Sequence, residues 1–373
     1  MHICLTCIEL FGFGTIGGFG RATRFIGRAL AQRGHRVTVI VPRRAPHTPD
    51  SFTVDGMQVH QYPTSQPWRA TTLFRACRAD VFHSQDTSLG TYLAMKAAPD
   101  RPHLITFRDP MNTQDWRVEW RYAGRQWGGW LLYGLFVEFP TVRAAVRRAQ
   151  GLYCAAGFLA AKAQAKYGLK EAPEFLPTPV SIPAVIEKAT RPTVCHIGRW
   201  QKRKRPELFF ELARRFPEVR FIAVGAEYDH DRDADLRRRY SHLPNLEMTG
   251  VLDQFADDRL AEILRDSWIL VNTAAREGLP ITFVEAAAHG CAILSACDPD
   301  GFASRFGYHA SALDFEAGLR VLLKDDRWRA LGQSARRHAM GVFGTERAID
   351  RHIDVYRAAV ENRNHRVSGG GRR

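Results

Sequence analysis

Apolar residues in this chain follow two different spacings, and their alternation predicts the secondary structure. Unbroken apolar runs of about four to eight residues are typical of buried strands, whereas apolar residues repeated every three or four positions indicate helices. The first half contains five such runs: HICLTCI (2–8), HRVTVIVP (35–42), VFHSQ (81–85), HLITF (103–107) and GLYCA (151–155). Segments with helical spacing separate them, the first at residues 21–33. This alternation predicts a parallel sheet covered on both faces.

The same pattern begins again after a proline-rich connector, residues 174–192, which contains four prolines. The later runs are TVCHIG (193–198), RFIAVG (220–225), LEMTG (246–250), WILVN (268–272) and CAILSA (291–296). We therefore predict an α/β chain with two doubly wound, Rossmann-like domains facing a cleft, at residues 1–180 and 181–342. Residues 343–362 are expected to form a helix packed on the first domain, followed by a disordered tail at 363–373.

The formal net charge of +14 indicates which kinds of molecule this protein could bind. Such an excess indicates nucleic acid, an anionic lipid surface or a phosphorylated ligand. The sequence contains no helix-turn-helix, zinc-finger or RNP pattern, so we expect no nucleic-acid partner. No segment approaches the ~20 apolar residues that span a bilayer, and no signal peptide is expected. The seven cysteines are scattered through apolar segments, which favours a reducing, cytoplasmic compartment.

A glycine-rich loop follows the first run. Gly12, Gly14 and Gly17 have the G-x-G-x-x-G spacing of a dinucleotide-binding turn. Such a turn requires an acidic residue after the second strand, where this chain has Arg43 and Arg44, two residues that suit an NADP 2′-phosphate. Three interpretations stay open: an NADP-dependent oxidoreductase, a flexible loop, or a helix N-terminus that binds the phosphate of another ligand.

Residues of the second domain suggest a separate chemistry. Glu277 and Glu285 have seven residues between them and could face one cleft, although Thr282-x-x-Glu285 also has the form of a capping box. Arg199 and Lys204 follow a predicted strand and could reach one anion. The alternative for this basic segment is a solvated turn.

Together these motifs resemble the retaining glycosyltransferases of the GT-B fold, family 4. The resemblance rests on motifs in the family's order: Gly17-Gly18, LAQRGHRVTVIVP, Gly198-Arg199, Lys204, Val224-Gly225, Gly250-Val251-Leu252, Glu277-Gly278, Glu285-Ala286 and Val355-Tyr356. It implies a GT-B fold with an acceptor-binding first domain and a donor-binding second domain. The implied reaction moves a sugar from a nucleotide diphosphate sugar to an acceptor with retention of the anomeric configuration.

The resemblance also implies roles for residues. Arg199 and Lys204 would neutralise the departing diphosphate, so neither a metal nor a further cofactor is expected. Glu277 would hold donor-sugar hydroxyls and Glu285 the ribose hydroxyls. The remaining donor-binding residues would be Gly17, Gly18, Gly198, Gly278, Pro280, Ile281 and Thr282.

The sequence departs from the family pattern at several positions. Arg108 stands where many members have histidine before an aspartate, here Asp109, and these two residues with His83 are the candidates on the acceptor side. Thr178 replaces a frequent asparagine, and Asn272-Thr273 replaces the usual Pro-Ser. Two D-x-D pairs, at 231–233 and 298–300, have the form of a metal–diphosphate site, but we interpret the first as a solvated loop.

Tryptophan and arginine are interleaved with apolar residues over 116–148. One interpretation is a core helix with a polar surface. The other is an interfacial segment that binds an anionic membrane, which agrees with the charge excess before residue 188, where 22 basic and 13 acidic residues occur. The second favours a lipid-linked acceptor and a peripheral position on the inner face of the cytoplasmic membrane. A non-enzymatic alternative is an inactive transferase scaffold that binds lipid or nucleic acid.

Overall fold

The computed structural model describes residues 1–123, 128 and 140–369. Contacts divide the chain into two compact units. Unit 1 consists of Met1–Pro179 together with Thr345–Arg373, and unit 2 consists of Val180–Gly344. Each unit has its own sheet and its own buried clusters.

Unit 1 contains an eight-stranded sheet in the order β3-β4-β2-β1-β5-β6-β7-β8. All neighbouring strands are parallel except β3 and β4, which form an antiparallel hairpin. The strands are β1 His2–Thr6, β2 Arg36–Arg43, β3 Ser51–Val54, β4 Met57–Pro63, β5 Val81–Ser84, β6 His103–Phe107, β7 Gly151–Cys154 and β8 Glu174–Phe175.

The helices of unit 1 cover both faces of this sheet. Cys4 and Leu5, successive residues of β1, pack into different clusters because alternate side chains of a strand point to opposite faces. This explains why the central strands β1, β2, β5 and β6 are buried along almost their whole length. The helices are α1 Gly18–Gln32, α2 Ala70–Cys77, α3 Leu89–Ala97, α4 Thr113–Ala123, α5 Pro140–Arg148 and α6 Phe158–Tyr167.

Unit 2 contains six parallel strands in the order β11-β10-β9-β12-β13-β14. The strands are β9 Thr193–Ile197, β10 Arg220–Val224, β11 Leu246–Gly250, β12 Ile269–Asn272, β13 Ala292–Ser295 and β14 Gly307–His309. Its helices are α7 Pro206–Arg215, α8 His230–Tyr240, α9 Arg259–Asp266, α10 Ile281–Ala288, α11 Phe302–Phe306, α12 Phe315–Leu323 and α13 Arg327–Phe343. Two clusters, one on each sheet face, form its core.

The last helix, α14 Thr345–Gly369, buries Ile353 and Tyr356 in the core of unit 1. It continues past residue 362, so residues 363–369 are helical rather than part of a disordered tail. Once packing fixes a helix, each added residue gains a hydrogen bond at little further cost. Arg363 Nε also donates to the Asp100 carbonyl over 2.6 Å.

The predicted fold class, two Rossmann-like α/β domains, is confirmed. All ten apolar runs contain strands. The hairpin β3–β4, the short β14 and β8, which lies inside the connector, were not predicted. In each sheet the chain adds strands first on one side of its first strand and then on the other. The order therefore reverses between β1 and β5 in unit 1 and between β9 and β12 in unit 2, and these positions are the topological switch points.

Candidate active site

The loops after β9 and β12 meet at the carboxyl edge of the unit 2 sheet, at its switch point. Ligands of doubly wound sheets bind at such points. The first loop contains Gly198, Arg199 and Lys204, and the second contains Glu277 and Gly278. The structure thus brings the donor residues implied by the sequence onto two neighbouring loops of one unit.

Lys204 Nζ and Glu277 Oε1 form an ion pair across these loops. Asn272 Nδ2 donates to the same carboxylate oxygen over 3.3 Å. Burial raises the pKa of Glu277, but Lys204, Arg203 and the Asn272 amide together outweigh it, so the pKa lies below the usual glutamate value. Burial also lowers the pKa of Lys204. Glu277 is therefore a carboxylate at neutral pH, held by one ammonium and one amide.

Other bonds join the two loops through their backbones. Thr273 Oγ1 donates to the Lys204 carbonyl over 2.6 Å. The Arg205 guanidinium donates to the carbonyls of Thr273 and Ala274 at 2.7 and 3.0 Å. Arg203 reaches the Arg276 carbonyl at 2.7 Å. The interpretation of this basic segment as a solvated turn is wrong for Arg203, Lys204 and Arg205, whose side chains bind the facing loop.

Arg199 differs from these neighbours. It is half-buried, and its guanidinium makes no hydrogen bond or ion pair with any residue that the structure describes. His196, at the end of β9, is buried and neutral, because burial lowers its pKa to about 4. Within the described part of the chain, the switch point thus holds one unpaired cation, Arg199, in the same loop as a second cation, Lys204, that is paired.

The loop after β9 needs glycine where it passes the end of β10. Gly225 has φ +139°, and a Cβ there would overlap the Gly198 carbonyl oxygen. Only glycine at residue 225 allows the two backbones to approach so closely. The Val224-Gly225 motif therefore serves to place Gly198 and, with it, Arg199.

Helix α10 begins beside the Glu277 loop. Its N-cap is Pro280, and no side chain caps it. Thr282 lies inside the first turn, so the capping box suggested by Thr282 and Glu285 does not form. Glu285 is buried in the middle of the helix. The amides of Ile281 and Thr282 form the uncapped, partly positive end of α10.

In unit 1 the glycine loop precedes α1, whose N-cap is Gly17. The Glu9 carboxylate lies at this helix end, where its Oε1 accepts from the Gly20 amide at 3.2 Å. A Cβ at Gly17 would overlap that carboxylate. Gly12 and Gly14 adopt positive φ in the preceding loop. The helix end at Gly17 and Gly18, expected to bind phosphate, therefore has an anion of this chain beside it.

The two arginines at the end of β2 have partners within the unit. Arg43 pairs with Asp50. The Arg44 guanidinium donates twice to the Ile8 carbonyl, at 2.9 and 3.1 Å. Both guanidinium groups are therefore already bonded within unit 1 and are not available for a 2′-phosphate.

Arg108, on the acceptor side, is buried at the end of β6. Its Nη1 donates to Thr178 Oγ1 over 2.8 Å, and its Nη2 donates to Gln85 Oε1. Arg108 and Thr178 are two separate departures from the family pattern, and the structure shows that they bind each other. Asp109, next to Arg108, is half-buried.

His83 has a different place from the one expected. It is fully buried, with Thr106 Oγ1 at 2.8 Å from Nε2 and Tyr356 Oη at 2.7 Å from Nδ1. The Gln85 amide lies 3.0 Å from the same Nδ1. Burial holds its pKa well below the usual histidine value, so the ring is neutral. Both ring nitrogens have partners, and one of them holds the Gln85 amide; a role for His83 on the acceptor side stays a prediction.

Solved structures share this architecture over almost the whole chain. Sucrose-phosphate synthase from Thermosynechococcus elongatus is 16% identical, with a TM-score of 0.70 over 96% of this chain and 98% of that one. HepE from Anabaena, solved with UDP-glucose, is 12% identical, with a TM-score of 0.68 over 96% and 100%. The catalytic domain of starch synthase IV from Arabidopsis thaliana, bound to ADP and acarbose, is 13% identical, with a TM-score of 0.63 over 96% and 99%.

Two family models match the chain in succession. Glycosyltransferase Family 4 matches residues 16–182, and Glycosyl transferases group 1 matches residues 181–313. The chain is a GT-B glycosyltransferase. No curated protein sequence matches it.

This identification decides the question raised by the glycine loop. A GT-B glycosyltransferase has no NADP-dependent step, so the oxidoreductase hypothesis is wrong. The physical reason is the long loop between Thr6, which ends β1, and Gly18, which begins α1. A dinucleotide-binding turn places its first glycine directly after the strand.

In each D-x-D pair of this glycosyltransferase, one aspartate, Asp233 or Asp298, makes local hydrogen bonds. Asp231 and Asp233 lie in the first turn of α8 rather than in a solvated loop, and Asp233 binds the Glu227 amide and Arg237 at 3.0 and 2.7 Å. Asp298 accepts from the amides of Ala303 and Ser304 at 2.7 and 3.1 Å. Among the residues described, no three His, Cys, Asp or Glu side chains are grouped so as to hold a metal ion.

Only part of the segment 116–148 lies within the described residues. In α4, Trp120 is 43% exposed, Arg117 and Arg121 are exposed, and Trp116 is half-buried. Trp127, Trp130 and Arg125 lie outside the described residues. Within the described ranges, none of the helices is both long and apolar enough to cross a membrane.

Sequence reasoning missed three residues near these sites. Glu9 sits in an irregular loop, and nothing in its spacing indicates contact with α1. Gln85 and Asp86 directly follow β5. Polar residues directly after a buried strand are a signal for a site at the carboxyl edge of a sheet, and this signal could have identified both residues.

Proposed function

We propose that this glycosyltransferase is a retaining, family 4 enzyme whose donor is a nucleoside diphosphate sugar. The observation that carries the proposal is the switch point of unit 2, where Arg199 has no partner among the described residues and lies in the same loop as Lys204, which is paired with Glu277. HepE, a structural neighbour, was solved with UDP-glucose, and starch synthase IV with ADP. Both ligands carry a diphosphate, as the proposed donor does.

The reaction breaks the bond between the sugar C1 and the diphosphate oxygen, which keeps the electron pair. The charge that develops there needs fixed positive groups. Arg199 and Lys204 are assigned this role, with the amides of Ile281 and Thr282 adding partial positive charge. When Lys204 turns to the diphosphate, Glu277 becomes available for donor-sugar hydroxyls. Gly198, Gly278 and Pro280 give the loops their close path around the ligand.

Glu285 is assigned to the ribose hydroxyls, which a carboxylate binds in pairs. Glu285→Gln should weaken nucleotide binding by about tenfold or more, the loss that goes with a charged hydrogen bond. The melting temperature should change little, since the carboxylate caps no helix. Calorimetry with the nucleotide and a melting curve measure the two effects. Unchanged affinity would contradict the assignment.

The direct test of the proposed function is a thermal-shift screen with nucleoside diphosphate sugars. A donor at 100 times its dissociation constant stabilises the protein by about 2.7 kcal/mol. The sugar that shifts the melting temperature is then used to follow release of the nucleoside diphosphate and the anomeric configuration of the product. An inverted product would contradict retention. Failure of every nucleotide to bind would favour the inactive scaffold.

We also propose that transfer needs no metal ion, because Arg199 and Lys204 already supply positive charge to the diphosphate. Activity should survive EDTA. Loss of activity that manganese or magnesium restores would contradict this part of the proposal.

The acceptor is proposed to be a lipid-linked or cell-envelope glycan precursor. The support is the exposed set Arg117, Trp120 and Arg121 on α4, a combination suited to an anionic membrane surface.

A further inference from the structure

The cysteine sulfurs of this chain have two kinds of partner. Four of them lie within hydrogen-bonding distance of a backbone carbonyl, to which the S–H group donates: Cys7, Cys154, Cys291 and Cys297. A thiol bonded in this way keeps its proton, and burial raises the pKa of Cys297 to about 12. Cys77 is half-buried like Cys297, but its sulfur lies 3.6 Å from His2 Nε2. The partner of Cys77 is therefore a base.

His2 is fixed beside Cys77 at the amino end of β1. Its amide donates to Asp80 Oδ2 over 2.8 Å, and its carbonyl accepts from the Asp80 amide over 2.8 Å. The nitrogen that faces Cys77, Nε2, also lies 2.9 Å from Thr38 Oγ1 on β2. A thiol within reach of an imidazole that a third group orients is the arrangement that activates a cysteine nucleophile. Both His2 and Cys77 are half-buried, so a small solute can reach them.

A second sulfur, that of Cys4, lies on the other side of Cys77. Residues 2 and 4 of β1 point to the same face of the sheet, and Cys77 packs against the buried cluster that contains Cys4. A hydrogen bond from the Cys4 thiol, with His2 and Thr38, lowers the pKa of Cys77 to about 5, although burial raises it. Burial and the Cys77 sulfur raise the pKa of Cys4. A thiolate at Cys77 is thus in contact with a protonated thiol at Cys4.

The other charges near Cys77 act in both directions. Cys77 is the last residue of α2, and the unbonded carbonyls of a helix C-terminus oppose a thiolate there. Arg75 and Arg78, which are exposed cations on α2 and directly after it, favour the thiolate. The Asp80 carboxylate accepts from the His2 amide. The thiolate therefore depends on its contacts with His2 and Cys4, and His2 is the residue whose replacement tests it without altering the core.

We propose that Cys77 is a modification site, a nucleophilic thiol that hydrogen peroxide oxidises and that Cys4 then joins in a disulfide. His2 Nε2 takes the Cys77 proton, and the thiolate attacks one peroxide oxygen. An S–O bond forms, the O–O bond breaks, and the hydroxide that leaves takes the proton from His2 and becomes water. The Cys4 sulfur next attacks the Cys77 sulfur, so that an S–S bond forms and the S–O bond breaks. The second hydroxide leaves with the Cys4 proton as water.

Two thiols are thus oxidised to one disulfide while one peroxide is reduced to water. The bond would tie the end of α2 to β1 at the amino edge of the unit 1 sheet. The candidate donor and acceptor residues lie at the carboxyl edges of the sheets, so this inference is independent of the proposed function.

The first test measures thiolate character in the reduced full chain. Iodoacetamide is added at neutral pH, and peptide mass spectrometry follows each cysteine. Cys77 should be alkylated about tenfold faster or more than Cys297, which has a similar exposure. His2→Gln keeps a hydrogen-bonding group but removes the base, and it should slow alkylation of Cys77 by about tenfold or more. His47→Gln, at an exposed histidine of the same unit, is the matched control and should leave the rate unchanged.

The second test adds one equivalent of hydrogen peroxide to the same protein and analyses it without reductant. The wild type should give a peptide pair joined through Cys4 and Cys77. Cys4→Ala should stop at a sulfenic acid on Cys77, which dimedone traps. Equal alkylation of Cys77 and Cys297, an unchanged rate in His2→Gln, or a wild-type product other than the Cys4–Cys77 disulfide would overturn the inference. The wild-type measurements and His2→Gln decide it even where Cys4→Ala does not fold.

Discussion

The two switch points have the same place in their sheets but a different electrostatic state. In unit 2 the cation Lys204 is paired with Glu277, and the N-terminus of α10 carries no anion from its first turn or cap. In unit 1 the α1 N-terminus has the Glu9 carboxylate beside it, while the buried Asp86 and Arg108 each keep one unbonded atom. The unit 2 edge carries the cations Arg199 and Lys204, whereas the unit 1 edge carries the buried side chains of Asp86 and Arg108. The same place in the two sheets thus carries different charged groups, which supports the proposal of a diphosphate site in unit 2.

The largest effect should come from the paired residues of unit 2. Lys204→Ala should lower transfer by about 10²-fold or more, as loss of a preorganised charge does. It should also destabilise the fold by about 3 kcal/mol, because Glu277 stays mostly buried without its partner. The double variant Lys204→Met with Glu277→Gln should recover stability, because it leaves no unpaired buried charge. It should not recover activity, because the cation is still absent. Turnover assays and denaturant unfolding measure both quantities.

The pH dependence of this pair follows from the lowered pKa of Glu277. A carboxylate with a lowered pKa stabilises the fold above the unfolded pKa, and the contribution is lost as the pH falls through the folded value. The stability advantage of the wild type over Glu277→Gln should therefore be complete at neutral pH and disappear in acid. An advantage that grows in acid would contradict the assignment.

Arg199→Ala should separate catalysis from stability. Arg199 has no partner among the described residues, so its removal should leave the melting temperature unchanged. Transfer should still fall about 10²-fold if the guanidinium binds the diphosphate. Lys202→Ala, an exposed cation of the same loop, is the control and should keep wild-type turnover. Equal turnover in both variants would remove Arg199 from the site.

Replacement of both Arg117 and Arg121 by Ala should reduce binding to anionic vesicles by roughly thirtyfold, since each basic residue near such a surface contributes about 1 kcal/mol. Sedimentation with phosphatidylserine-containing vesicles at low salt measures this, with neutral vesicles as the comparison. Wild-type protein that ignores both kinds of vesicle would favour an acceptor that is not embedded in a membrane.

The smallest effect concerns the contrast between the two helix ends. Glu9→Gln removes the anion at the α1 N-terminus and should tighten nucleoside diphosphate binding about two- to fivefold, the usual strength of a helix-end charge. Calorimetric titration measures the change. If Gly17 and Gly18 take no part in phosphate binding, the affinity will be unaltered.

Much of this protein could be predicted from local pattern. The ten apolar runs specify the strands because a strand covered on both faces must be apolar throughout. The glycine and charged residues that follow β9 and β12 mark the binding edge, because the carboxyl ends of parallel strands lie at the same edge of the sheet. The hairpin β3–β4 was missed even though Asp55-Gly56, both with positive φ, is a strong hairpin signal.

The tertiary structure alone decided which side chains meet. Lys204 and Glu277 are 73 residues apart, and Arg108 and Thr178 are 70 apart. Nothing in their spacing fixes these contacts, since they depend on which strand ends become neighbours in the sheet. The sequence therefore determined which residues stand at the carboxyl edges, through periodicity that acts within a few positions. Whether each charge there is paired, like Lys204, or left unbonded, like Asp86 Oδ1, was set by strand order, which brings distant loops within hydrogen-bond distance.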